Sequence, residues 1–195
     1  MLPQRFGRQR EYALGKTSGK ANILKNLEAF ALQLTPEETR LVTERIIALG
    51  DRKQVVTRED LPYIVSDVLQ HNQPRQRVRL LSYVVTTAFG LRPTASFRIE
   101  IDNEIYEMNA SGDGQYDAFM NGLQELYNQR LGRQLPQLVG YNVTIPPGGR
   151  TAAFVQTTIT WQTADGRNFR THGFDADQTE AALMATIKML NSLED

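Results

Sequence analysis

Residues 94–119 read TASFRIEIDNEIYEMNASGDGQYDAF, and this stretch decides the fold. Apolar and polar residues alternate on both sides of Asp102-Asn103. This pattern is typical of two antiparallel strands joined by a tight turn. The strands are predicted at Thr94–Asp102 and Glu104–Ala110. A glycine-containing turn follows, and apolar residues at helical spacing then predict a helix over about Gln115–Leu131.

The same order of elements occurs twice in the chain. A strand predicted at Val78–Ala88 makes the first unit βββα, and strands at Leu138–Ile145, Ala152–Thr163 and Asn168–Thr171 precede a helix at Asp177–Leu193. Three blocks match in order: Leu81-Ser82-Tyr83 with Val139-Gly140-Tyr141, Thr94-Ala95-Ser96-Phe97 with Thr151-Ala152-Ala153-Phe154, and Gln115-Tyr116-Asp117-Ala118 with Gln178-Thr179-Glu180-Ala181. These matches predict a duplicated βββα domain with pseudo-two-fold symmetry, its repeats spanning 78–133 and 136–195.

The residues before the repeats favour helices. Thr35-Pro36 with a following Glu38, and later Thr57 before Asp60, are typical helix starts. The polar stretch His71–Arg77 contains a proline and no apolar residue, which indicates a domain boundary. We therefore expect an α+β fold, in which a small N-terminal helical subdomain at 1–72 precedes the duplicated βββα domain at 78–195.

Composition argues against several functions. The chain has 22 Lys+Arg and 22 Asp+Glu, so it lacks the excess positive charge that wholesale nucleic-acid binding needs. It contains no cysteine, which excludes disulfides, thiolate nucleophiles and cysteine-bound zinc. No apolar run approaches the roughly 20 residues of a membrane span, and the start lacks the apolar core of a signal peptide. We expect a cytoplasmic protein that binds neither nucleic acid nor membrane.

No catalytic or metal site is predicted. The two histidines, His71 and His172, are far apart, and neither a phosphate loop nor a Gly-x-Ser-x-Gly elbow occurs.

The turn Gly112-Asp113-Gly114 is the strongest candidate for a ligand-binding site. It joins a strand to a helix, where glycines let a ligand approach and the helix start offers N–H groups to an anion. The segment Gly173–Asp177 is expected to occupy the same place in the second repeat. Asp113 or Asp175 could accept bonds from an ammonium group, or the acids could cap the helices. A seam between the repeats with both kinds of group suits an amino acid.

Two sets of residues resemble the 2-isopropylmalate synthase family, which includes citramalate and homocitrate synthases. The first set resembles the family's linker region and comprises Leu14-Gly15-Lys16-Thr17-Ser18-Gly19-Lys20-Ala21, Asp51-Arg52-Lys53, Thr57 and Asp60-Leu61. The second resembles the C-terminal regulatory domain and comprises Ala110, Gly112-Asp113-Gly114 and Asp117-Ala118 within the βββα repeat. The resemblance covers essentially the whole chain.

This resemblance implies a function. Members are homodimers whose metal-dependent TIM barrel condenses acetyl-CoA with 2-oxoisovalerate, and leucine inhibits them at the C-terminal domain. No barrel occurs in this sequence, so we expect a C-terminal regulatory and dimerisation region that is inactive as an acyltransferase and has no cofactor of its own. The divalent metal is expected in the missing barrel. The expected partners are leucine or a related amino acid, a second copy of the chain and the catalytic barrel.

The resemblance also implies the effector-binding residues, position by position. They are Gly112, Asp113, Gly114, Tyr116 and Asp117 at the first turn, Leu138, Tyr141 and Ile145 as an apolar wall, and Phe174, Asp175 and Ala176 closing the pocket. Two alternatives stay open. The chain could be the same region of a citramalate or homocitrate synthase that responds to another amino acid, or a ligand-free structural domain.

Overall fold

The computed structural model describes residues 25, 27, 34–51, 56–57, 60–71, 76–146 and 153–193. The chain divides into two compact units. One comprises Met1–Asn72 with Ile145–Phe154, and the other comprises Gln73–Thr144 with Val155–Asp195 and carries both βββα repeats. The first unit therefore includes a connection between two strands of the second repeat, which the sequence had not indicated.

Two helices of the first unit begin at polar caps. At the start of α1 (Pro36–Asp51), the Thr35 hydroxyl donates to the Glu38 carboxylate at 2.8 Å, and the Glu38 amide donates back to that hydroxyl at 3.3 Å. Before α2 (Leu61–His71), the Thr57 amide and hydroxyl both donate to the Asp60 carboxylate at 2.8 Å. The apolar residues that these helices bury are Val42, Ile46 and Leu49 on α1 and Leu61, Ile64, Val65 and Val68 on α2. The sequence also predicts a helix from the helical spacing of Ile23, Leu24, Leu27, Ala31 and Leu34, and this segment lies largely outside the described residues.

The first sheet of the second unit is antiparallel, in the order β1 (Val78–Thr86), β2 (Thr94–Ile101) and β3 (Glu104–Ser111). Strand β2 alternates buried and more exposed residues, as predicted. Asp102 and Asn103 both have positive φ, 51° and 69°. Such backbone is required by a two-residue hairpin turn, so the predicted tight turn is confirmed.

The second sheet repeats this order with β4 (Gln137–Thr144), β5 (Val155–Gln162) and β6 (Asn168–Asp175). The first strand of each sheet carries an irregularity at the equivalent place, at Leu81 in β1 and at Val139 in β4. Both residues begin the first matched sequence block. A recurring bulge at matched positions supports the duplication, because a bulge is a specific feature of a strand.

One helix packs on each sheet. Helix α3 (Gln115–Glu125) contacts β2 and β3, and α4 (Gln178–Leu193) contacts β5 and β6. Helix α3 continues as a π-helical turn over Leu126–Arg130, so the single α-helix predicted to Leu131 is corrected in its last turn. The helices and sheets share one core from both repeats, in which the largest side chains include Phe97, Ile99, Phe119, Leu123, Tyr127, Ile159, Trp161, Leu183 and Leu190. The described part of the chain is thus α+β, as predicted.

Strand β6 requires a second correction. It continues to Asp175 rather than ending near Thr171, so Gly173, Phe174 and Asp175 are strand and not turn. A Cβ atom at position 173 would collide with the Ala181 carbonyl oxygen of α4. The glycine therefore allows close approach of helix and sheet, a requirement that depends on the packed helix.

Candidate functional site

The helix starts of the two repeats meet. The Thr179 hydroxyl in the first turn of α4 donates to the side-chain oxygen of Gln115, the first residue of α3, at 3.0 Å. Beside this contact, the hydroxyls of Tyr116 and Thr186 share a 2.7 Å hydrogen bond. The Tyr116 ring lies 5.5 Å from the Tyr141 ring on β4, centroid to centroid. We call these five residues the inter-repeat seam.

Tyr116 connects three elements of the seam. It belongs to α3 and reaches both Thr186 on α4 and Tyr141 on β4. Burial raises the pKa of its hydroxyl far above the usual range, so the group is neutral at physiological pH. Tyr141 and Leu138 on β4 keep 39% and 37% of their surface exposed. The seam therefore offers partly exposed apolar surface beside a fixed, neutral hydroxyl.

Tyr83, the sequence match of Tyr141, makes an analogous contact with the other repeat. Its hydroxyl on β1 bonds the Glu180 side chain of α4. Burial, followed by the charges of Glu180 and Asp177, raises the pKa of Tyr83 to about 12. Each repeat's first strand thus places a tyrosine near the helix start of the other repeat. The sequence prediction missed this position of Tyr83. The match between Tyr83 and Tyr141 in the duplicated blocks could have indicated it.

The glycine turn already uses part of its backbone. The Gly112 amide donates to the Pro93 carbonyl at 3.0 Å, and the Asp113 amide donates to the Asp117 carboxylate at 2.8 Å. Gly114 is the N-cap of α3, in extended backbone with φ −142°. The sequence predicted that the backbone N–H groups of the whole turn could bind a ligand. Because the amides of Gly112 and Asp113 are already bonded within the fold, this prediction now applies to the amides from Gly114 onward.

The two candidate carboxylates for an ammonium group have different surroundings. The Asp113 side chain is 91% exposed and pairs with Arg92 at 2.8 Å, so it lies in solvent. Asp175 is only 1% exposed and accepts the Asp177 amide at 3.2 Å. Of this pair, only the Asp175 carboxylate is buried.

The helix starts also differ in their caps. At α4 the Asp177 carboxylate accepts the Thr179 amide at 2.7 Å and the Glu180 amide at 3.1 Å. At α3, within the described residues, the N-cap Gly114 provides no side-chain bond. Helix capping by an acid, one of the two interpretations of these residues, is thus confirmed for Asp177. Of these two helix starts, that of α3 has an N-cap residue, Gly114, without a carboxylate.

Three other predicted residues, Phe174, Ala176 and Ile145, differ in burial and in the part of the fold to which they belong. Phe174 is fully buried and follows Gly173, which faces α4, so its side chain points to the opposite face of the sheet. Ala176 lies half-buried in the short turn between β6 and α4. Ile145 follows β4, is 59% exposed and belongs to the first compact unit.

The structure therefore brings together Tyr116 and Tyr141 from the predicted set, with Gly114 at the start of the same helix as Tyr116. The sequence prediction missed Gln115, Thr179 and Thr186. A weak signal existed, because Thr179 and Thr186 are about two helical turns apart and so share one face of α4.

Among the described residues, no group of three or more His, Cys, Asp or Glu is arranged to hold a metal ion. No described helix is long and apolar enough to cross a membrane.

Comparison with known protein families gives one match over most of the chain. Residues 55–194 match the family described as the LeuA allosteric (dimerisation) domain. The match includes both βββα repeats and α2.

Individual relatives agree with this match. A probable 2-isopropylmalate synthase of Methanopyrus kandleri is 31% identical over 98% of this chain and 38% of its own length. A 2-isopropylmalate synthase of Methanocaldococcus jannaschii is 28% identical over 98% of this chain and 36% of its own length. A putative (R)-citramalate synthase of Methanosarcina mazei is 27% identical over 99% of this chain and 39% of its own length. The chain thus spans less than two-fifths of these relatives.

Proposed function

The chain belongs to the LeuA allosteric (dimerisation) domain family, and on that premise we propose that it is the regulatory region of a 2-isopropylmalate synthase and binds leucine as a feedback inhibitor. The whole enzyme would condense acetyl-CoA with 2-oxoisovalerate in the cytoplasm, using a catalytic barrel and a divalent metal outside this sequence. The observation that carries the proposal is the inter-repeat seam, where two helix starts and two tyrosines meet.

The caps suggest where the leucine carboxylate binds. The first-turn amides of α4 are bonded by Asp177, whereas α3 has Gly114 as its cap. A helix start favours an anion by roughly 0.3–1 kcal/mol, and more when the site is partly buried. We therefore assign the leucine carboxylate to the start of α3, which gives each chain one binding site for it.

The leucine side chain requires an apolar wall. Leu138 and Tyr141 are each more than a third exposed on β4, and the Tyr141 ring contacts Tyr116. Burying an isobutyl group against this surface is worth about 1.5–3 kcal/mol. The wall therefore contributes at least as much binding energy as the helix dipole.

Regulation would follow from the position of the ligand between the repeats. A molecule bound at the seam contacts residues of both repeats, so it favours one arrangement of them over another. It inhibits the enzyme only if it prefers the less active state, with a coupling free energy of typically 1–3 kcal/mol.

Calorimetric titration of the chain with leucine, isoleucine and lysine tests the proposal. We expect leucine to bind, and Gly114→Val to abolish binding by blocking approach to the start of α3. The fold should tolerate this change, because a Cβ at position 114 meets no described atom within 4 Å and the backbone is extended. Asn109→Val, on exposed β3, is the control and should bind normally. Absence of any heat or thermal shift with leucine would contradict the proposal.

A second candidate rests on the relative named a putative (R)-citramalate synthase, which covers 99% of this chain. Binding of isoleucine in place of leucine would favour a citramalate synthase as the parent enzyme. Binding of lysine would favour a homocitrate synthase, and binding of no amino acid would leave a structural domain.

We also propose that the chain forms a homodimer. The family is described as a dimerisation domain. The loop between β1 and β2 carries two strongly exposed apolar side chains, Phe89 and Leu91. Large exposed apolar side chains at one place are typical of an interaction surface, and a second copy is the partner that the family description implies.

A further inference from the structure

The Thr157 hydroxyl on β5 is an unexplained polar group in the core. Its oxygen is buried and has no hydrogen-bond partner among the described residues, and the whole residue is 0% exposed. Thr171 on β6 is likewise a buried threonine, but its hydroxyl accepts a hydrogen bond from the Trp161 indole at 2.8 Å. An unpaired buried hydroxyl is costly, so native structures seldom keep one without a ligand, a water or a functional reason.

The register of the second sheet places Thr157 close to the seam. Thr157 lies opposite Val143 on β4 and opposite Gly173 on β6, on the face that carries α4. Tyr141 faces the same side of the sheet two residues from Val143 along β4, and its ring contacts Tyr116. Thr157 therefore lies between the first turns of α4 and the strand that forms the apolar wall.

A buried carboxylate lies on the same face. Asp175 pairs with Val155, so it is a diagonal cross-strand neighbour of Thr157. Its carboxylate is almost fully buried and accepts the Asp177 amide. A carboxylate has about four lone-pair sites, so it can accept further bonds. This end of the sheet thus combines a hydroxyl acceptor and a negative charge.

We infer that Thr157 is a ligand-contacting residue of the seam, and that its hydroxyl accepts a hydrogen bond from the α-ammonium group of the bound amino acid while Asp175 supplies the opposite charge. This inference rests on the proposed function. The carboxylate and side chain of the effector are assigned to the start of α3 and to the wall on β4. The ammonium is the remaining group, and the Thr157 hydroxyl is a buried acceptor that has no partner among the described residues.

Thr157→Val tests this inference because it removes only the hydroxyl. The ligand-free variant should be as stable as the unmutated chain or more so, because it loses an unpaired polar group. Its affinity for leucine should fall roughly ten- to a hundredfold, as expected for a lost bond to a charged group. Thr157→Ser, which keeps the hydroxyl, should restore most of the affinity. Calorimetry and thermal unfolding of the full chain measure both quantities.

Thr171→Val is the matched control. It removes a hydroxyl that accepts the Trp161 indole, so it should lower the melting temperature, and any protein that remains folded should bind leucine normally. A further arm uses 4-methylpentanoate, which has leucine's carboxylate and side chain but no ammonium. Its affinity should be the same for the unmutated chain and for Thr157→Val.

Four results would contradict the inference. One is unchanged leucine affinity in Thr157→Val, which overturns the role of Thr157 and leaves the proposed function intact. Another is a strong loss of ligand-free stability in Thr157→Val, which would show that the hydroxyl is paired within the fold. An equal loss of affinity for 4-methylpentanoate would overturn the ammonium assignment. Absence of amino-acid binding to the unmutated chain would overturn both proposals.

Discussion

The two glycines of the turn before α3 have opposite steric surroundings. A Cβ at Gly112 would lie 2.6 Å from the Asp117 carboxylate and 2.7 Å from the Ala118 Cα, whereas one at Gly114 would meet no described atom within 4 Å. We expect Gly112→Ser to lower the free energy of unfolding by about 1–3 kcal/mol through overpacking. Gly114→Ser should leave stability unchanged or raise it by up to about 1 kcal/mol, because serine can cap α3. Urea unfolding measures both, and equal losses would contradict the assignment of Gly112 as the structural glycine.

At the scale of elements, the end of α4 is tied to the first strand of the other repeat. The buried Asn191 side chain donates to the Val78 carbonyl at 2.9 Å and accepts the Val78 amide at 3.0 Å. Asn128 lies as far after Gln115 as Asn191 lies after the matched Gln178, so it is the equivalent residue of the first repeat, and it is exposed. The position that corresponds to Val78 is Pro136, which has no amide hydrogen to donate. We expect Asn191→Ala to cost about 2–4 kcal/mol, since it leaves two buried backbone groups unpaired. Asn128→Ala should change stability by less than about 0.5 kcal/mol. Similar losses in thermal unfolding would argue against this asymmetry.

At the scale of the whole molecule, the proposed homodimer depends on surface that the fold leaves uncovered. Phe89 and Leu91 have relative exposures of 107% and 72%, so each can be changed without loss of internal packing. We expect the double variant Phe89→Asp with Leu91→Asp to have the mass of a monomer in light scattering, because burying two carboxylates at an interface is unfavourable. Ile105→Asp, at an exposed position on β3, should remain a dimer. A dimer that survives the double change would place the interface elsewhere.

Much of the fold could be predicted because its signals are local. Alternation along β2, the Asp102-Asn103 turn and the Thr35 cap are each decided within a few neighbouring residues. The candidate site was harder to predict. Glycine is a residue type typical of turns, but Gly173 lies in a strand, where a glycine is required because Ala181 of α4 packs directly on it.

By itself, the sequence determined the order of the elements, the duplication and the family, since periodicity, caps and matched blocks are properties of the chain. Only the tertiary structure decided which residues share the seam. It placed Tyr116 against Tyr141 and Thr186, turned Phe174 to the opposite face and left the Thr157 hydroxyl without a partner among the described residues. The physical reason is that a side chain's partners depend on strand register and on the packing of each helix against residues distant in sequence.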